Sequence, residues 1–160
     1  MLQFTQRVEN TLTAPNTVTL PIEKRVKSRI RVTLDDGRDA GIVLPRGEQL
    51  RSGDKLKSTD GEVVEVIAAD ESLSLVRCTS ALEFARACYH LGNRHVPVEI
   101  LPSDPAVGLV GTVTFLHDHV LDNMLRGLGL TVESVSAPFN PESGAYGGGH
   151  SHEHDHDRNQ

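Results

Sequence analysis

Near residue 70 the chain changes how it is punctuated, and that change constrains its fold more than any other feature. Before it, short β-branched runs (Val18 to Ile22, Arg29 to Leu34, Ala40 to Leu44, Glu62 to Ile67) are separated by Asp36-Gly37, Arg46-Gly47, Gly53-Asp54 and Asp60-Gly61. Runs of that length with turn pairs between them suit strands. Residues 1–70 are therefore predicted to form a small all-β unit. Lys24 through Arg31 carries five basic residues, read as a solvated strand and turn.

After Asp70 the pattern becomes strand, helix, strand, strand, helix, strand. Ser72 to Cys78 reads as a strand, and Ser80 with Glu83 three residues on forms a capping-box signature for a helix. Ala81, Phe84, Ala85, Cys88 and Leu91 would share its buried face, with Gly92 as a left-handed stop. Val96 to Leu101 and Val107 to Phe115 are β-rich. A second helix is expected from Asp118, burying Val120, Leu121, Met124, Leu125 and Leu128 and stopping at Gly129, before a last strand from Leu130 to Ala137. The predicted class is α+β: an N-terminal all-β unit over 1–70, then a ferredoxin-like βαββαβ unit over 71–138. Residues 139–160 lose periodicity and are too poor in apolar surface to offset the entropy of ordering, so a flexible histidine-rich tail is expected.

Charge and cysteine content narrow the function. A net charge of −6 supplies no overall basic field for nucleic acid or an anionic membrane. No stretch approaches the roughly 20 apolar residues that span a bilayer, and no leader-like segment opens the chain, so a soluble cytoplasmic protein is expected. Cys78 and Cys88 form no CxxC pair and suit a reducing compartment, packed as small apolar residues.

All eight histidines fall at or after His90. Neutral imidazole is a common ligand for nickel, copper and zinc. His150-Ser151-His152-Glu153-His154-Asp155-His156 alternates imidazole with small or acidic residues, a pattern that lets several rings converge on one transition-metal ion. A flexible imidazole site of this kind follows the general affinity order and selects no one metal, so Cu(II) and Zn(II) are expected to bind as well as Ni(II). In His117-Asp118-His119 the two histidines would share a face if extended and diverge if helical, and capping by Asp118 explains the triplet equally well. His95, after Gly92-Asn93-Arg94, reads alone as a structural residue; two copies across a symmetric dimer could share an ion.

These segments resemble one family. Tyr89-His90-Leu91-Gly92-Asn93-Arg94-His95, Leu116-His117-Asp118-His119-Val120-Leu121, and Ala137-Pro138-Phe139-Asn140-Pro141-Glu142-Ser143-Gly144-Ala145-Tyr146, followed by the histidine tail, are similar to the UreE urease accessory proteins. Leu44-Pro45-Arg46-Gly47 and Gly53-Asp54-Lys55-Leu56 carry the likeness into the first unit. The resemblance implies a nickel metallochaperone that delivers Ni(II) during assembly of the urease active site. It implies a homodimer joined through the second unit, with His95 of each subunit at an interfacial site and the tail histidines completing or feeding it. His117 and His119 match positions for additional metal. The β unit would contact partners, namely the urease accessory GTPase and the apo-urease accessory complex. The alternatives are passive metal storage or detoxification, and a zinc metallohydrolase built on His117, Asp118 and His119. An enzyme is disfavoured because the chain has no HExxH, GxSxG or phosphate-loop motif.

Overall fold

The computed structural model describes residues 1–144. Two sheets form. The first has six strands: β1 (Leu2–Val8), β2 (Asn16–Leu20), β3 (Arg29–Thr33), β4 (Asp39–Val43), β5 (Lys55–Ser58) and β6 (Val63–Ala68), in the order β2-β6-β5-β1-β4-β3. β1 pairs parallel with β4, and β2 parallel with β6; the other pairs are antiparallel. Alternating residues of these strands (Phe4, Val18, Val32, Ile42, Leu56, Val64 and Val66 among them) meet in one core. The expected turns sit where the backbone needs them, with Gly37, Gly47, Gly53 and Gly61 all at positive φ.

Two strands lay outside the sequence expectation. β1 buries Phe4 alone, and β5 is four residues with lysine on both sides of buried Leu56, so neither carries a run of β-formers. The basic stretch also departs from it. Ile22–Arg25 forms a short helix, α1, and Arg25 is fully buried instead of solvated.

The second sheet is wholly antiparallel. It comprises β7 (Asp70–Cys78), β8 (Glu99–Leu101), β9 (Gly111–Leu116) and β10 (Val132–Pro138), in the order β10-β7-β9-β8. Helix α2 (Ala81–Asn93) joins β7 to β8, and α3 (His119–Gly127) joins β9 to β10. Val76, Cys78, Val113, Phe115 and Val132 pack against Ala87, Leu91, Leu121 and Leu125 of the helices. The predicted third run becomes strand only from Gly111 onward, since Pro105–Val107 is a 3-10 turn and the strand starts after it. β8 likewise keeps three residues of the run from Val96.

The helices are rotated from their expected faces. On α2, Ala81 and Ala85 are exposed while Ala87 and Leu91 are buried, with Phe84 and Cys88 half-buried beside them. On α3, Val120 and Leu128 stay exposed, and Asp122 is buried between Leu121 and Leu125. Ser80 caps α2 by accepting from the Glu83 amide at 3.1 Å. The Glu83 carboxylate completes no box; it accepts from the Thr79 hydroxyl at 3.0 Å.

A third cluster, Ile22, Leu73 and Phe139, forms the seam between the sheets. Arg25 crosses it. Its Nε donates to the Leu20 carbonyl at 3.0 Å, and its Nη1 to Leu50 O at 3.4 Å and to Asn140 Oδ1 at 3.2 Å, while Nη2 donates to Phe139 O. Burial pulls this guanidinium below its usual pKa, and Glu71 at 3.8 Å opposes the pull. Beyond Phe139 the chain runs back over β8: the Asn140 amide donates to Glu99 Oε1 at 2.9 Å and the Glu142 amide to Val98 O at 2.7 Å.

Candidate metal-binding cleft

The end of α2 differs from its prediction in a way that sets the site. Gly92 lies inside the helix, which runs to Asn93 with Arg94 as its C-cap. The left-handed residue is His95, at φ 57°, the one non-glycine with positive φ among the described residues. The His95 amide donates to Gly92 O at 3.0 Å and the Val96 amide to Leu91 O at 3.1 Å. That pair of bonds is a Schellman motif, with Leu91 and Val96 supplying its apolar contact in the core. Helix α3 closes the same way: Gly129 N donates to Arg126 O at 3.0 Å and Leu130 N to Leu125 O at 3.1 Å. There the left-handed position is the expected glycine, Gly129 at φ 86°.

His95 lies exposed on a cleft of about 330 Å³ lined also by Val96, Pro97, Leu116, His117, Asp118 and Leu121. The structure thus brings His95 and His117 to one cleft and leaves His119 off its wall. His119 is the first residue of α3, and Asp118 between it and His117 is extended. Asp118 caps that helix, accepting from the Val120 amide at 2.8 Å and the Leu121 amide at 3.2 Å. The hydrogen bonds from Leu121 and Val120 hold its carboxyl below the usual carboxylate range.

His117 continues the β9 ladder by one residue, its amide donating to Ser72 O at 3.0 Å. Its ring turns toward the diagonal neighbour Ser74, whose Oγ is 3.2 Å from His117 Nδ1. Ser74 Oγ donates to Asp122 Oδ1 at 2.6 Å, and Asp122 Oδ2 lies 3.3 Å from the same Nδ1. Ser74 and Asp122 are both buried, whereas the His117 side chain is 42% exposed. Neither Ser74 nor Asp122 stood out in the sequence; the one signal was a carboxylate beside the apolar face of α3.

The thiols do not join this cleft. Burial pushes Cys78 up to about 11 and raises Cys88 as well, so both stay protonated near neutrality and pack with the helices. Among the described residues no group of three or more His, Cys, Asp or Glu side chains is placed to hold a metal ion. One copy of residues 1–144 therefore closes no coordination sphere by itself. His150, His152, His154 and His156 lie outside the described residues.

Two family models match in tandem: the N-terminal domain of the UreE urease accessory protein over residues 4–69 and its C-terminal domain over residues 71–160. An accessory protein, and not an enzyme, is the class that this pair of domains defines. A urease accessory protein of Citrobacter koseri is 54% identical over 147 residues, covering 91% of each chain. One from Alkalilimnicola ehrlichii is 56% identical over 148 residues, 92% of this chain and 86% of that one, and one from Escherichia coli O157:H7 is 53% identical over 147 residues, 91% and 90%. The chain belongs to the UreE family of urease accessory proteins, with a role in urease maturation. No helix among the described residues is long and apolar enough to cross a membrane.

Proposed function

We propose that the chain is a cytoplasmic nickel chaperone that binds Ni(II) as cargo and releases it to the assembling urease active site. Its working form is a homodimer in which the two His95 imidazoles share one ion. The observation that carries this reading is the backbone of His95. A left-handed residue after a helix is cheapest as glycine, and α3 uses glycine there. Holding a histidine in that conformation costs about 1 kcal/mol or more. Strain retained at a solvent-facing imidazole on a cleft supports a ligand role better than a packing one, because an exposed ring has little core contact to offset it.

The dimer draws support from apolar surface. Ile100, Leu101, Val107, Val110 and Leu116, all in or beside the β8–β9 hairpin, are each at least 37% exposed. Second copies of His95 and His117 would supply the ligands that a single chain lacks. His117 and His119 serve as additional sites, and His150, His152, His154 and His156 as collectors that feed His95. Cu(II) and Zn(II) compete for all of these imidazoles.

In this reading residues 1–70 are the partner-binding unit, facing the accessory GTPase and the apo-urease complex. Residues 71–138 are a ferredoxin-like metal unit, which the strand order β10-β7-β9-β8 supports; the expected tail over 139–160 begins later than that, because Phe139 is buried in the seam and the Asn140 and Glu142 amides bond back to the second unit. Nickel titration of the full chain, of His95→Ala and of a chain ending at Tyr146 tests the assignment. His95→Ala should lose the tightest site while remaining folded, and the shortened chain should keep that site and lose capacity. An unchanged tightest affinity in His95→Ala would overturn it.

A further inference from the structure

With Asp122 ionised and the His117 ring neutral, the Ser74–His117–Asp122 cluster has a hydrogen count that admits one arrangement. An ionised carboxylate only accepts, and a serine hydroxyl has one proton to give. Ser74 spends that proton on Asp122, to which its oxygen stands at 2.6 Å. Toward His117 the Ser74 oxygen is then an acceptor, and so is Asp122 Oδ2; the two lie 3.2 Å and 3.3 Å from Nδ1. Two acceptors facing one ring nitrogen require that nitrogen to carry the proton. The other nitrogen, Nε2, keeps its lone pair.

We infer that Asp122, with Ser74, is a positioning residue: it locks His117 in the Nδ1–H tautomer and so turns Nε2 out as a ready donor for a transition-metal ion. The inference rests, for the ion, on the reading of His117 as an additional ligand. A ligating histidine that gives its other N–H to a carboxylate gains a fixed ring orientation and a more basic donor. The placement is built from three elements. β9 delivers His117 to the cleft, β7 brings Ser74 under it, and α3 presents Asp122 in its first turn, where the helix dipole favours a carboxylate. The buried carboxylate also has a reason to be there. With Leu121 and Leu125 beside it in the helix, an apolar residue would pack more cheaply, and a buried carboxylate persists only with partners. Among the described residues no carboxylate is hydrogen-bonded to the His119 ring, which separates the two histidines of the triplet: there His117 is the pre-set donor.

The test starts on metal-free full-length protein at about pH 8, where an unperturbed imidazole is neutral. Long-range ¹H–¹⁵N correlation spectra read the tautomer of each ring. Wild-type His117 should have Nδ1 protonated and Nε2 bare. Asp122→Asn should move it toward the Nε2–H form, because the amide offers Nδ1 a donor, and Ser74→Ala should leave the wild-type tautomer in place with Asp122 as its acceptor. In a His95→Ala background, nickel affinity at His117 should fall roughly tenfold or more on Asp122→Asn. A wild-type His117 that is Nε2-protonated or mixed overturns the inference, as does a tautomer indifferent to Asp122→Asn. The wild-type spectrum needs no substitution, so a poorly folding variant cannot shelter the idea. If the tautomer is fixed as stated but nickel leaves the His117 resonances untouched, the positioning stands and only the ligand reading of His117 falls.

Discussion

Replacing His95 by glycine should make the metal-free protein more stable while removing its proposed principal ligand. The left-handed conformation at φ 57° costs a residue with a Cβ about 1–2 kcal/mol relative to glycine. Histidine tolerates it better than branched residues, which places it at the low end. Glycine in turn adds about 0.4–1 kcal/mol of freedom to the unfolded chain. The difference leaves a net gain of about 0.5 kcal/mol for His95→Gly. Alanine has the Cβ but not histidine's tolerance, so His95→Ala should fall below His95→Gly by about 0.5–1 kcal/mol. For a chain of this size the gap corresponds to roughly 1–4 °C in Tm. Thermal and urea unfolding with chelator present isolate the backbone effect, since bound metal would stabilise the wild type by mass action. The sign is the diagnostic. At an ordinary helical or extended position glycine is worse than alanine by about 0.5–1 kcal/mol. If His95→Gly proves less stable than His95→Ala, the residue is not held left-handed in solution, and the strain argument for a ligand role collapses.

Three further outcomes follow from packing and charge. Arg25→Met should cost at least about 3 kcal/mol in urea unfolding, because it leaves the carbonyls of Leu20, Leu50 and Phe139 without their buried donor; a loss below about 1 kcal/mol would mean the seam is already wet. Gly111→Ala sets a Cβ at 2.6–2.8 Å from ring carbons of Phe84, so a loss of about 1–3 kcal/mol is expected, with Phe84→Leu relieving part of it in a double-mutant cycle. For Asp118 the folded pKa is depressed, so its contribution is full above the unfolded value of about 3.9 and disappears as pH falls through the folded one. Asp118→Asn keeps the cap but not that dependence, and its stability should fall less steeply than wild type below about pH 4, read by acid titration of the circular dichroism signal.

The elements that sequence made legible were those whose local chemistry agreed with their surroundings. Gly37, Gly53 and Gly61 announce turns because only positive φ was wanted there. Gly129 stops α3 as a glycine should, and Asp118 begins it by accepting two amide protons. Legibility failed where tertiary contacts overrode local preference. β1 is a central strand of Gln, Thr and Arg anchored by Phe4, held because β4 and β5 lie on either side of it. Arg25 looked solvated among its basic neighbours, and its burial depends in part on the Phe139 carbonyl and the Asn140 side chain, 114 and 115 residues away. In the site, His95 and His117 were visible as histidines, but their common cleft was not, since it needs α2 to end one turn later than Gly92 suggests. Asp122 was hidden by position: helical periodicity places it beside the apolar stripe, and only Ser74 on a distant strand explains a carboxylate there.

The seam also sets an order of events during synthesis. The six-stranded sheet and α1 are complete once residues up to Ala68 have emerged, but the partners that Arg25 needs at Phe139 and Asn140 come from chain made much later. At about 5–20 residues per second, the guanidinium waits several seconds beside an open apolar patch formed by Ile22. A nascent chain stalled before Phe139 would expose that patch with the guanidinium held only from the Leu20, Leu50 and Glu71 side. Arrival of β10 and Phe139 covers both at once, so closing the seam doubles as a checkpoint that the second sheet has been made.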